Sequence, residues 1–482
     1  MRAKIVFLVI LGMLVALVYL IGTRVRDPHV MPDARAEEAP EAAVADAALG
    51  PDAPAVAVPP SPAADAAGVD GRAPLLDRPL RLVAASWELA ATALVANGGR
   101  ATADGSAVRA AGLELQIEVV PAPRDVEGRL ARGGIDPEGA DVAVVSLPAL
   151  VASYERLRAL EPEVVHVVGW SRGREVLLAA REGMLAKPAA AEVDVASDDL
   201  AAGTLALFAL DASGTPPARV HVAADVKVAS FAALARPLPA DRPADAPARM
   251  ALTTADASRL VPFVAVAARG FVEGHADAVA ALLRAWAGGS EALRKDVPAA
   301  ARRIAAEPGA PDPAAMLERL SWIGDPGRAD EARALGVAGH DAVTVATLFA
   351  LDWRLLREAG TLSSPAPDAA PIASGPFSAA LASSPEAPPP PAPAAPAGAG
   401  ARVLLVHRLD KGDADALAAD VAWLAGVFER STLRVSARPA SLAKDAAGAA
   451  HDKLGIAAER VTATATAPAG PGVATVEVLA AP

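Results

Sequence analysis

The chain of 482 residues has no cysteine, which excludes disulfides, thiolate metal sites, a cysteine nucleophile and a lipid-modified cysteine anchor. Aromatics are scarce at 3%, and Lys and Arg number 45 against 57 Asp and Glu, for a net charge of -12. A nucleic-acid partner needs a clustered basic face, so none is expected. Of the seven histidines, His221, His275, His340, His407 and His451 are scattered and give no obvious histidine context to a serine nucleophile, and no metal site is expected. Proline and glycine are plentiful, 43 and 37 residues, so part of the length is linker and the remainder allows two to four domains.

Residues Ile5 to Gly22 form an uncharged apolar run. At about 1.5 Å per residue it spans ~27 Å, close to the hydrocarbon thickness of a bilayer. A cleaved signal peptide is the alternative, but the run is long for one and Leu20-Ile21-Gly22-Thr23-Arg24 offers no small-residue cleavage site. The expectation is therefore a short cytoplasmic N-terminus at 1–4 and a retained transmembrane helix at 5–22. Residues 23–77 read as a disordered linker of Ala, Pro, Asp and Glu, which cannot bury enough apolar surface to offset its ordering entropy.

Folded α/β structure is expected from Arg78 to Leu362. Leu80 to Ala85 reads as a strand, Leu89 to Val95 as a helix closed by Asn97-Gly98-Gly99, and Leu113 to Val120 and Asp141 to Val145 as further strands. Ser86, Trp87 and Ser146 follow the carboxyl ends of these strands, where the crevice of a parallel sheet lies. They are candidate ligand contacts, and turn or capping chemistry is the alternative.

Leu260 to Ala267 is a continuous apolar run with Pro262 near its start, typical of a buried strand. The helix stripe Val279, Leu282, Leu283 and Trp286 follows, with Gly288-Gly289 as its expected stop, and together they suggest half of a parallel α/β unit.

Gly169-Trp170-Ser171-Arg172-Gly173 fits the G-x-S-x-G pattern of a serine nucleophile on a strand-to-helix turn. Glu175 to Ala180 reads as a strand rather than that helix, so the pattern is expected in a turn between strands, with a serine hydrolase kept as the lesser alternative.

The passage Thr253-Thr254, the run Leu260 to Ala267 and the helix to Trp286 resemble periplasmic solute-binding proteins of the nitrate, sulfonate and taurine type. That resemblance implies two lobes, with the second at about 183–258, and strand crossings at Ser171 and at Leu260. It would place Ser171 and Arg172 in the cleft, Arg172 holding an oxyanion. It also implies capture of a small anionic solute for an ABC transporter or a sensor-like partner, no enzymatic activity and no cofactor, with an inner-membrane anchor and the bulk of the chain in the periplasm. Ala235 to Arg249 is proline-rich where the family has a ligand-sensing helix, so the second lobe reads as shortened.

Residues 363–400 read as a second, proline-rich linker. Residues 401–482 then read as a small α+β domain of order β-α-β-α-β-β, with a helix stripe at Leu417, Val421, Leu424, Ala425 and Phe428. Leu442 to Val461 resembles the OmpA-like peptidoglycan-associated domain. The serine and arginine that this resemblance would require stand here as Ala443 and Ala446, so it carries the fold and not the wall-binding site. A structural or interaction protein that uses both folds as scaffolds is the competing function.

Overall fold

The computed structural model describes residues 74–187, 189, 191–226, 228–238, 246–338, 342–381, 401–410, 412–466 and 473–480. The apolar run at 5–22 and the linker before residue 74 lie outside them. Among the described residues no helix is long and apolar enough to cross a membrane.

The first lobe opens with β1 (Leu80–Ala84), α1 (Trp87–Asn97), β2 (Leu115–Val119), α2 (Pro123–Arg132), β3 (Val142–Ser146) and α3 (Leu147–Leu157). β1 lies between β2 and β3 and is parallel to both. Gly98 ends α1 at φ 81°, a left-handed conformation that glycine adopts without a Cβ clash. The strand β4 (Pro162–Ser171) then carries the chain into the second lobe.

That lobe comprises β5 (Glu175–Ala179), β6 (Val193–Ala196), α4 (Leu200–Ala212), β7 (Val220–Ala223), β8 (Phe231–Ala235) and β9 (Arg249–Thr253). Its sheet runs β7-β6-β8-β5-β9. The chain returns through β10 (Pro262–Ala268), α5 (Ala276–Lys295), β11 (Ile323–Gly324) and α6 (Val345–Glu358), completing a first-lobe sheet of order β11-β4-β10-β3-β1-β2.

Two sequence expectations are corrected here. β10 is antiparallel to both β3 and β4, not part of a parallel unit. The cause is the crossing itself: β4 takes the chain out of the lobe and β10 brings it back, so they must run in opposite directions. Pro262 is the first residue of β10, where a missing N–H does least harm to the ladder.

The second correction concerns Gly288-Gly289, which does not stop α5; the helix continues to Lys295. Gly289 instead lies against α1, where a Cβ would collide with the Thr92 carbonyl oxygen and with Ala96. The glycine permits close helix contact, and the Trp286 indole one turn earlier donates to the Thr92 hydroxyl.

Asp352 on α6 is fully buried and neither carboxylate oxygen has a hydrogen-bond partner. Burial raises its pKa well above the ordinary 3.8, so the folded protein holds the proton where the unfolded chain releases it. Stability is therefore full below the unfolded value and falls by ~1.4 kcal/mol per pH unit until the folded value is passed. Asp352→Asn should abolish this slope and raise stability more at pH 8 than at pH 5, read from urea denaturation across that range. An unchanged slope would show that another group titrates.

Helix α4 is apolar around its whole circumference, with Ala201 to Leu210 buried. Such a helix must be covered on every side. The second-lobe sheet covers one side, α3 and α6 of the first lobe another, and the C-terminal segment the rest.

That segment contains β12 (Val403–Leu409), α7 (Ala414–Val427), β13 (Thr432–Ala437), α8 (Ala440–Leu454), β14 (Val461–Thr464) and β15 (Ala474–Leu479), the β-α-β-α-β-β order read from the sequence. Its sheet runs β12-β15-β13-β14, with β13 and β14 parallel.

Its core is continuous with that of the lobes. Phe428 packs 6.1 Å from Phe208 of α4, measured between ring centroids. His407 Nδ1 lies 3.0 Å from the Ala212 carbonyl, and Arg408 donates to the Ala186 carbonyl at 3.0 Å. On the crossing segment, the Arg259 N–H donates to the Val427 carbonyl at 3.2 Å. The end of α7 is set by Arg460, which donates to the carbonyls of Ala425, Phe428 and Ser431.

The segment after Leu362, read as linker, is also ordered in its first half. Pro371 and Ala373 bond to Val164 of β4, and the helix Ser374–Leu381 lies on α5. Residues 382–400 are outside the described residues.

Candidate functional site

The two crossings meet beside α1 and α4. In the β4-to-β5 turn, Gly173 takes φ 87°, and β5 follows directly. No helix opens after Ser171, so the strand-to-helix geometry of a nucleophile elbow is not formed.

Ser171 is fully buried; its hydroxyl bonds to Glu175 Oε2 and lies 2.7 Å from Thr254 Oγ1. Thr254, on the other crossing, accepts from the N–H groups of Gly173 at 2.9 Å and Glu175 at 3.2 Å. One hydroxyl thus ties the two connections together.

The cation of this junction is Arg174, whose side chain is 16% exposed. Its Nη1 donates to Glu175 Oε1 at 2.7 Å, its Nε donates to Glu88 Oε1 of α1 at 3.4 Å, and its guanidinium lies 5.6 Å from the Phe263 ring centroid. Burial pulls its pKa down, but Glu175, Asp199 and Glu88 more than reverse this and the net shift is upward. Burial also raises the Glu175 pKa, against the opposing pull of Arg174. Glu88 is 4% exposed, and its Oε2 has no hydrogen bond, the nearest cation being Arg319 at 3.9 Å.

Arg172, by contrast, is exposed. Its N–H donates to the Trp322 carbonyl at 2.7 Å, and its side chain lies over Gly324, where a Cβ would collide with it.

The remaining candidates sit at helix starts. Ser86 is the N-cap residue of α1 without a capping bond, and its buried Oγ has no partner. Trp87 is the first residue of α1 and half-buried. Ser146 caps α3, accepting from the Ala149 N–H at 3.4 Å.

Ser146 and Asp199 line one cavity of ≈ 140 Å³ between β3, α2, α3 and the start of α4. Its walls include Val126, Leu130, Leu150 and Val266. Here a candidate residue of the first lobe shares a space with the second. Among the described residues no group of His, Asp or Glu is arranged to hold a metal ion.

Sequence reasoning missed Glu88, Arg174, Glu175, Thr254 and Asp199. A signal existed for two of them: Arg174-Glu175 puts adjacent charges at the head of a strand that continues Val-Leu-Leu-Ala-Ala.

No family model matches the sequence, and no curated protein matches it. Solved structures similar to this chain include the periplasmic aliphatic sulphonate binding protein SsuA from Escherichia coli, at 14% identity over 59% of this chain and 88% of that one, with a TM-score of 0.41. The periplasmic nitrate-binding protein NrtA from Synechocystis PCC 6803 is 13% identical over 62% of this chain and 93% of its own, with a TM-score of 0.40. The Candida albicans CA3427 gene product, described as having the generic periplasmic binding protein fold, is 11% identical over 63% and 95%, also with a TM-score of 0.40. Likeness at this level carries no argument about what the junction holds.

Proposed function

We propose that this chain is a non-catalytic, two-lobed solute-binding protein of the cell envelope, anchored in the inner membrane by residues 5–22 with its bulk in the periplasm. It captures a small molecule between its lobes for an ABC transporter or another envelope partner. The cavity at Ser146 and Asp199 is the observation that carries this reading, because both lobes contribute to its lining.

Arg172 is exposed, and the charges buried at the junction are Glu88 and Glu175, beside the partly exposed Arg174. A thermal-shift series on the full chain in detergent, over amino acids, sugars, oxyanions and small alcohols, tests the reading. At least one solute should raise the melting temperature in a concentration-dependent way, by ~2.7 kcal/mol of stability at one hundred times its Kd. A folded chain unmoved by every solute contradicts it.

A scaffold is the second reading, and the docked C-terminal domain favours it. We assign this domain an OmpA-like fold but no wall-binding role. Ala446, which the resemblance aligns with the wall-binding arginine, is fully buried, as is Ala443.

A further inference from the structure

We propose that the cavity at Ser146 and Asp199 takes an uncharged, mainly apolar molecule of about six non-hydrogen atoms ending in one hydroxyl. This names the solute class of the site proposed above and rests on that reading.

Size comes first. The cavity measures ≈ 140 Å³, and an apolar cavity of about 150 Å³ accommodates benzene. The inner walls Val126, Leu130, Leu150 and Val266 are all buried side chains of a packed core, so the inner end of the space has a fixed size.

Charge comes second. The charged residues on the lining are Arg124, Arg156, Glu127 and Asp199, so the two signs cancel. Arg156 and Glu127 are further committed to each other through two bonds, Nε to Oε1 at 2.6 Å and Nη2 to Oε2 at 2.7 Å. An ammonium faces Arg124 as well as Asp199, and a sulfonate faces Asp199 as well as Arg124, so attraction and repulsion oppose each other for either charge, while each must lose its hydration.

The polar end is fixed by what the wall offers. Asp199 Oδ1 accepts from the Ala202 N–H at 2.8 Å, and a carboxylate retains capacity to accept more. Ser146 Oγ holds only the long 3.4 Å bond from Ala149. These oxygens call for a donor, and a single hydroxyl on an uncharged ligand supplies one.

The test titrates the full chain calorimetrically with cyclopentanol, n-butylammonium, methanesulfonate and nitrate, beside two variants. Ala149→Leu fills the cavity from its wall, and Ser146→Ala removes a polar partner while leaving the volume. Cyclopentanol should bind saturably, with affinity lowered at least ten-fold by Ala149→Leu and about five-fold by Ser146→Ala.

Binding of n-butylammonium or an oxyanion but not of cyclopentanol overturns the solute class and leaves capture between the lobes standing. Cyclopentanol binding that both variants leave unchanged overturns the assignment to this cavity. If none of the four binds, this inference fails, and the broader thermal-shift series decides separately whether the capture reading fails with it.

Discussion

Arg174→Ala should cost about 3–5 kcal/mol of stability, because it leaves Glu88 and Glu175 in a dry junction without their shared cation. The loss should depend on pH. Glu175 already has a raised pKa, and without the guanidinium its carboxyl will hold its proton to higher pH. A raised carboxyl contributes stability that is full below its unfolded value and lost as pH rises through its folded one. The variant should therefore lose most near pH 8 and recover part of the loss towards pH 5. Adding Glu175→Gln should restore part of the stability at pH 8 by removing one buried charge. Urea denaturation at both pH values measures all three effects, and a loss below about 1 kcal/mol at pH 8 would show that the junction is wetter than its burial implies.

The second large effect is expected at Phe428→Ala, about 3–5 kcal/mol. Phe428 is fully buried where α7 meets Phe208 of α4, so its removal opens a cavity between the C-terminal domain and the second lobe. The whole described unit should feel the change. In calorimetry the lobes and the C-terminal domain should unfold in one transition, and the variant should shift that transition as a whole. Two transitions, with Phe428→Ala moving only one, would mean that the domain is tethered and not docked.

The sequence made the elements legible where a local pattern was sufficient. Gly98 closes α1, and β5 replaces the helix that a serine elbow needs. Both depend on neighbouring residues. It misread Gly288-Gly289, because a glycine that permits two helices to touch looks the same in sequence as one that ends a helix.

The docking of the C-terminal domain was equally hidden. Phe208 and Phe428 each read as one more apolar residue on a stripe, and only the fold brings them together across 220 positions of chain. The apolar circumference of α4 was the available hint, since a helix buried on all sides needs a second cover. At the site, Ser146 was legible as a residue at a strand end. Arg174 was passed over for Arg172, because strand alternation decides which of two arginines turns inward and the turn at Gly173 resets that alternation.

The account rests on lobes that already meet, with a solute space formed before any ligand arrives. The chain has no cysteine, so paired labels can be placed at exposed alanines without removing native thiols, for example Ala110→Cys in the first lobe and Ala218→Cys in the second. Electron–electron distance measurement between spin labels there tests the claim directly. Lobes that already meet give one narrow distance in the ligand-free full chain, unchanged when a solute binds. A broad or longer distance that collapses on binding would contradict that claim, and would show lobes that open and close around their solute.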